Sequence, residues 1–315
     1  MSGIYTGEKL AFGIIAVIVA TLGMLTITAD TVVKWSAFAE HLILFAAIIG
    51  AGLLMRLSAR LVHFSTTMIA LGLYPIYSSC LALVFYLNFP LKRPLTDTYL
   101  FKVDAFIGYD WARAVEWLAQ YPTVAWVLSL VYLSSLLQLF VLLLVLGLTG
   151  RTKNLHCMLI TGMSAGVILC VFWIIWPSFG PSAYLHPSQA AVENSALVVT
   201  PAYGAHLMHL AEHGLAVIDR HQLLGTVAFP SFHILMAVLA VWFARGTFLF
   251  IPFAALNLLM LPATAIHGGH HLVDLPAGVA LFVVSFWCSN RMFHYFEMAQ
   301  LGRNKTAAVD LVRST

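Results

Sequence analysis

The sequence is poor in charge: only 9% of its 315 residues are Asp, Glu, Lys or Arg, whereas 61% are hydrophobic, and the mean hydropathy is +0.91. Soluble domains carry about 25% charged residues, so a soluble globular protein is excluded. A disordered chain is excluded as well, because such chains are rich in charge and poor in apolar residues. The four cysteines lie within apolar runs, which argues against a secreted disulfide framework. No block of Lys or Arg indicates a nucleic-acid partner.

Long apolar runs are what the sequence has in abundance. A helix needs about 20 apolar residues to cross the hydrocarbon core of a bilayer. Breaks at polar, Pro and Gly residues divide the chain into eight candidate spans, which are residues 10–28, 35–55, 67–89, 124–148, 159–176, 232–244, 247–262 and 272–288. We therefore predict an all-α polytopic membrane bundle of about eight transmembrane helices.

The distribution of Lys and Arg predicts the orientation. Eight spans place both termini on one side, which leaves six of the 16 Lys and Arg residues on the other: Lys34, Lys92, Arg93, Lys102, Arg113 and Arg220. The positive-inside rule therefore places the termini in the cytoplasm. We expect an integral protein of a bacterial inner (plasma) membrane, with residues 91–121 and 177–230 facing the periplasm or exterior.

Both of these external segments are long. Apolar residues recur at helical spacing over 91–121, which predicts an amphipathic helix in the membrane interface, with Asp104 and Asp110 on its solvated face. Residues 177–230 are rich in Pro, Gly and Ser, and loops of such length are uncommon unless functional. Inside the fourth span, Tyr132 and Gln138 are expected either to form interhelical hydrogen bonds or to line a headgroup cavity.

Histidine is frequent, with 13 residues, and two clusters fall at the outer starts of spans. His233 follows Pro230-Ser231 at the start of the sixth span, where free backbone N–H groups favour an anion. His270 and Asp274 are four residues apart at the start of the eighth span and therefore neighbours on a helix. An Asp that accepts the Nδ1 proton of a His leaves Nε2 free to attack. Together these residues predict a phosphate site.

The two clusters resemble the second and third motifs of the type-2 phosphatidic acid phosphatase superfamily. The matching positions are Pro230, Ser231 and His233, then His270, Asp274 and Gly278. The resemblance covers about residues 67–290 and implies a six-helix core, with two further helices in 1–66 and a cytoplasmic tail at 291–315. Residues 270–275 and 176–181 look like the branch that contains inositol phosphorylceramide synthases and their bacterial relatives.

The resemblance implies an enzyme that cleaves a lipid phosphate ester at the outer face of the membrane. His270 would attack phosphorus and form a phosphohistidine, with Asp274 orienting it. His233 would protonate the leaving group and then activate water or an acceptor hydroxyl, and Ser231 and its backbone N–H would hold a phosphoryl oxygen. The scheme needs no metal or other cofactor. Hydrolysis and an inositolphosphotransferase-type transfer to a lipid hydroxyl both remain open.

The sequence departs from the family in its cations. The Lys and Arg ligands of the first motif should fall near 174–181, and the third motif normally has Ser-Arg where this chain has Ala263 and Thr264. The charge must then come from elsewhere on the same side. We expect Arg220 to be a phosphate clamp, with Arg93 and Lys92 on the other side of the site and with His267 and His271 lining it.

A function of another class is a metal-binding membrane transporter. Its ligands would be His267, His270, His271 and Asp274. This alternative leaves the Pro-Ser-x-His motif unexplained, and transport sites usually lie near the membrane midplane on broken helices.

Overall fold

The computed structural model describes residues 3–314, and the side chains of residues 3–296. The described part is helical apart from one small sheet. Its α-helices are α1 (Thr6–Thr28), α2 (Trp35–Met55), α3 (Val62–Tyr86), α4 (Asp97–Ile107), α5 (Trp111–Leu118), α6 (Pro122–Leu133), α7 (Ser135–Leu148), α8 (Thr152–Ile175), α9 (Gln189–Asn194), α10 (Pro201–His213), α11 (Phe232–Ala244), α12 (Phe250–His267) and α13 (Asp274–Ser314). Strands β1 (Val32–Val33) and β2 (Val217–Ile218) pair in parallel. The predicted all-α membrane class is confirmed.

The number of spans differs from the expected eight. Each predicted apolar segment is a helix, but only five of the described helices are long and apolar enough to cross a membrane. The fourth predicted span is the pair α6 and α7, which would make a sixth; it bends by 48° around Ser134. Helix α11 has 13 residues and is too short to cross alone. The reason is geometric, since 13 residues rise only about 20 Å.

Helices α3, α8 and α11 form the centre of the bundle. Helix α3 packs on α1, α2, α7 and α8, while α11 packs on α7, α8, α12 and α13. The N-terminal helices are therefore attached through α3 and α8. The division into 1–66, 67–290 and 291–315 stays a prediction. The predicted tail begins within α13, and the side chains of Arg303, Lys305 and Arg313, which entered the charge count, lie outside the described residues.

A buried ion pair fixes one end of the bundle. The Arg56 guanidinium donates to both carboxylate oxygens of Glu8, at 2.9 and 2.6 Å, and its Nε donates to Ser65 Oγ at 2.9 Å. Both charged side chains are nearly inaccessible. This bidentate ion pair satisfies the N–H donors of the guanidinium, whose charge would otherwise be costly to bury. It also joins α1 to the α2–α3 turn.

The connections at the opposite end form a layer over the bundle. The predicted interfacial helix over 91–121 is two helices, because Gly108 ends α4 in the left-handed region (φ 76°) and the Asp110 side chain caps α5. Residues 177–230 contain α9, α10 and β2. Thr96 N–H donates to Pro177 O at 2.8 Å, and Leu91 N–H donates to Ala211 O at 2.8 Å, so the two long connections are held together.

Candidate active site

The third motif lies in the turn between α12 and α13. Helix α12 ends at His267, and a Gly268-Gly269 turn leads to His270 and His271 before α13 begins at Asp274. His270 Nδ1 lies 2.9 Å from Asp274 Oδ2, and His271 N–H donates to the same oxygen at 3.0 Å. The expected His–Asp pair is therefore present, although it is made across the turn that enters α13 rather than along a helix face. With Nδ1 bonded to the carboxylate, Nε2 of His270 is the nitrogen that can act as a nucleophile.

The second motif meets this pair at the start of α11. Ser231 is the N-cap residue of α11, and its Oγ lies 3.4 Å from His270 Nε2. Its backbone N–H donates to Asp274 O at 3.1 Å, so this N–H is not available to a phosphoryl oxygen, contrary to expectation. The free donors at this helix end are the N–H groups of Phe232 and His233, which have no acceptor among the described residues. Two such groups at a helix start favour a bound anion.

His233 lies on the same side of the site as His270. It is half-buried and stacks on Tyr132 of α6, with ring centroids 4.0 Å apart, and Tyr132 lies beside His270, since a Cβ on Gly268 would meet both rings within 3 Å. Tyr132 therefore contacts a motif histidine, while its predicted role in lining a headgroup cavity stays a prediction. Gln138 has the first: Asn257 of α12 donates to its side-chain oxygen at 2.6 Å.

Gly278 allows the two motif helices to approach closely. A Cβ at this position would lie 2.5 Å from Ser231 O and 2.9 Å from Ile234 Cβ. Helix α13 is thus in direct contact with the backbone of the α11 start. This contact positions Asp274 and His270 against Ser231 and His233, and it gives the glycine of the predicted third motif a physical reason.

The segment expected to carry the family's first motif is a loop without cations. Gly180 adopts a positive φ of 82°, and a Cβ there would lie only 2.1 Å from Gly269 O. This loop therefore packs directly against the third-motif turn. The Asp97 carboxylate of α4 holds this loop in place. The carboxylate accepts hydrogen bonds from Ser178 Oγ at 2.9 Å, from Gly180 N–H at 2.7 Å and from Phe179 N–H at 3.2 Å.

Asp97 and Asp104 are site residues that sequence reasoning missed. The prediction that Asp104 is solvated is wrong, since both side chains are buried and face His271. His271 Nδ1 lies 2.6 Å from Asp104 Oδ2, and His271 Nε2 lies 3.4 Å from Asp97 Oδ1. Asp110, by contrast, is exposed as predicted. The spacing of seven residues between Asp97 and Asp104, which places both on one helix face, was the available signal.

Electrostatics favour a charged His271. Burial alone lowers its pKa, but hydrogen bonds to Asp97 and Asp104 and the charge of Asp274 outweigh this effect, so the pKa of His271 is raised above its ordinary value of 6.5. Two ionised carboxylates that face both ring nitrogens favour the doubly protonated ring. His271 lies behind His270, between Asp97 and Asp104.

The predicted cationic ligands lie elsewhere in the layer. The Arg220 guanidinium contacts His41 Nε2 of α2. Arg93 lines a surface cavity of about 540 Å³ together with Lys102 and Trp176, and Lys92 lines a neighbouring one. None of the three forms a described hydrogen bond with the motif histidines, so their role as phosphate ligands stays a prediction.

His267 is fully buried at the end of α12. Its backbone oxygen accepts from Val199 N–H at 2.9 Å. The described side chains include no group of three or more His, Cys, Asp or Glu placed to hold a metal ion. The ligand set of the metal-transporter alternative, which is His267, His270, His271 and Asp274, is not among such groups in the described part of the chain.

Comparison with known families gives a match. A model of the PAP2 superfamily matches residues 98–288, more than half of the chain, and this range contains both histidine motifs. No curated protein and no solved structure matches the chain.

Proposed function

Because the chain belongs to the PAP2 superfamily, we propose that it is a membrane lipid phosphatase or phosphotransferase with His270 as its nucleophile. The observation that carries this proposal is the 2.9 Å contact between His270 Nδ1 and Asp274 Oδ2, which leaves Nε2 directed toward the Ser231 and His233 side. A nucleophile oriented by one group and adjacent to a second acid–base group is the arrangement that covalent catalysis requires.

The reaction has two displacement steps. His270 Nε2 attacks phosphorus, an N–P bond forms, and the bond from phosphorus to the lipid oxygen breaks while His233 donates a proton to that oxygen. Water or an acceptor hydroxyl then attacks phosphorus, His233 removes its proton, and the N–P bond breaks. A positioned acid–base of this kind contributes about 10²–10⁴ in rate. The Phe232 and His233 N–H groups would hold the phosphoryl oxygens, and Ser231 Oγ lies beside them.

The motifs favour transfer as the second candidate activity. The usual basic residues of the first and third motifs are missing from this sequence, and the histidine motif resembles the inositolphosphotransferase-type branch. The phospho-headgroup would then pass to a lipid hydroxyl rather than to water. Arg220, Arg93 and Lys92 remain the proposed sources of further positive charge for the phosphate.

The site is proposed to face the periplasm or cell exterior of an inner membrane. The support is the excess of Lys and Arg on the side of the termini. Gln189, at the start of the exposed helix α9, offers a test. A cysteine at this position should react with an impermeant thiol reagent in cells whose outer membrane has been opened. Labelling that requires disruption of the inner membrane would reverse the orientation.

The test of the activity is substitution of the two histidines in purified protein. Phosphate release and transfer to an added lipid hydroxyl are both measured from a ³²P-labelled lipid phosphate. His270→Ala and His233→Ala should abolish both products, whereas the matched control His209→Ala, on the exposed face of α10, should leave them unchanged. An alkali-quenched wild-type sample should carry protein-bound label that His270→Ala lacks. Near-normal turnover by folded His270→Ala protein would refute the phosphohistidine mechanism.

A further inference from the structure

Helix α4 carries two carboxylates on its inward face and apolar residues on its outward face. Asp97 and Asp104 are two turns apart and buried, at 0% and 3% exposure. On the other side, Phe106 is 89% exposed and Tyr99 is 68% exposed. A surface helix of a soluble protein has the opposite arrangement. Burial of two carboxylates is costly unless each has specific partners, so the inward face requires an explanation.

The partner shared by the two carboxylates is His271. Its two ring nitrogens face Asp104 Oδ2 at 2.6 Å and Asp97 Oδ1 at 3.4 Å. The Phe101 ring, on the turn of α4 between the two aspartates, contacts the imidazole edge-on at 4.7 Å. The imidazole is therefore fixed in position and in orientation by one helix.

The same group of residues joins three segments of the site. Asp97 also holds the 178–180 loop through hydrogen bonds to Ser178, Phe179 and Gly180. Asp104 Oδ1 accepts from the backbone N–H of Leu272 at 3.0 Å. Helix α4, the 178–180 loop and the third-motif turn are thus connected through buried, charge-assisted hydrogen bonds, which are about twice as strong as neutral ones.

The connection reaches the nucleophile through a single oxygen. Asp274 Oδ2 accepts both from His271 N–H at 3.0 Å and from His270 Nδ1 at 2.9 Å. A displacement of His271 therefore moves a donor of the carboxylate that orients His270. A misplacement of about 1 Å in an active site can cost about 10²-fold in rate.

We propose that Asp97, His271 and Asp104 form a charged clasp that positions His270 for attack. The clasp rests on the proposed function, since it acts on the orientation of the nucleophile and contacts no substrate. Asp97, His271 and Asp104 are positioning residues. Through Asp97 they also hold the 178–180 loop in place, although this loop carries no cationic ligand for a phosphate.

The clasp makes turnover dependent on the charge of His271. The titratable groups that face it are Asp97 and Asp104 from α4 and Asp274 from α13, with Tyr184 beside Asp97 at 3.5 Å. Burial and Asp97 raise the pKa of Tyr184, so this hydroxyl remains a donor. When His271 loses its proton, one ring nitrogen becomes an acceptor that faces a carboxylate, and the clasp opens. Turnover therefore falls on the alkaline side.

The kinetic test replaces each carboxylate by its amide. Asp97→Asn and Asp104→Asn should lower kcat at least about tenfold while KM stays within about twofold, because only the orientation of the nucleophile changes. The alkaline limb of the kcat profile should move to lower pH in both variants. Asp110→Asn is the matched control, because Asp110 is an exposed acid that caps the next helix, and it should behave as wild type.

A spectroscopic test does not depend on activity. In wild-type protein labelled with ¹⁵N-histidine, the His271 ring, identified by its loss in His271→Gln, should give the doubly protonated pattern at pH 7. A neutral His271 at pH 7 would overturn the clasp. So would wild-type kcat and pH profile in both amide variants while His270→Ala is inactive. An active His270→Ala protein would instead refute the proposed function.

Discussion

Replacement of Gly278 by alanine tests whether the contact between the two motif helices sets the geometry of the site. The added Cβ would lie 2.5 Å from Ser231 O, whereas ordinary van der Waals contact begins at about 3.4 Å. The obstacle is backbone at a helix start and cannot rotate away. Helix α13 must therefore move by about 0.9 Å relative to α11.

This displacement has two calculable consequences. Overpacking of a close contact costs about 1–3 kcal/mol of stability, which the fold can tolerate. A misplacement of about 1 Å between reacting groups costs about 10²-fold in rate. His270 and Asp274 move with α13, while Ser231 and His233 move with α11. Gly278→Ala should therefore lower turnover strongly while it lowers the free energy of unfolding only slightly.

The assay is steady-state turnover of a lipid phosphate, with thermal unfolding measured in the same detergent. Gly162→Ala is the matched control, since Gly162 is also a buried helical glycine but the nearest atom to an added Cβ, Leu239 Cδ1, is 3.8 Å away. It should keep both turnover and stability. Wild-type turnover in folded Gly278→Ala protein, or an equal loss in Gly162→Ala, would refute the reasoning.

Three further predictions follow from contacts described above. Asp274→Asn should lower kcat by about 10³–10⁴ with the fold intact, because an amide no longer selects the Nδ1–H tautomer of His270; near-normal kcat would contradict this. Arg56→Met should lower the free energy of unfolding by about 3–5 kcal/mol, because it leaves the Glu8 carboxylate buried and unpaired. The double variant with Glu8→Gln should recover most of this loss. Thermal unfolding measures both, and an unchanged melting temperature in Arg56→Met would contradict the importance of the ion pair. Because the folded-state pKa of His271 is raised, its contribution to stability is full below about pH 6.5 and is lost as the pH rises through the folded-state pKa. The melting-temperature gap between wild type and His271→Gln should therefore shrink between pH 6 and pH 9, and a gap that widens would contradict the charged state.

The helices and the contact between His270 and Asp274 could be predicted from the sequence because both are local signals. Apolar runs gave α2 and α11 with the bounds that the structure has. His270 and Asp274 are four residues apart, so their contact depends on one turn of chain. The family resemblance then placed His233 in the same site, and the role of His233 stays a prediction.

The clasp could not be predicted because its contacts are distant in sequence. Asp104 and Asp97 lie 167 and 174 residues before His271. The pattern of α4 also misled, since a charged face was assigned to water and an apolar face to the protein or membrane interior. In a chain surrounded by lipid, polar groups are best satisfied inside the bundle. Arg220 was expected at the phosphate site because it is close in sequence to Ser231. In the structure its guanidinium contacts His41 of α2, and it forms no described hydrogen bond with the motif histidines.

If Asp97, His271 and Asp104 position His270 as proposed, the two-sided character of α4 couples turnover to the surrounding lipid. Phe106 and Tyr99 turn outward, where an acyl or headgroup environment is their natural solvent, and the same helix contacts His271 from within. A change that shifts how deeply α4 sits, such as a thinner bilayer or a micelle of different curvature, would then reach His270 through one rigid element. Turnover should therefore depend on the amphiphile that surrounds the protein, even when that amphiphile is neither substrate nor acceptor.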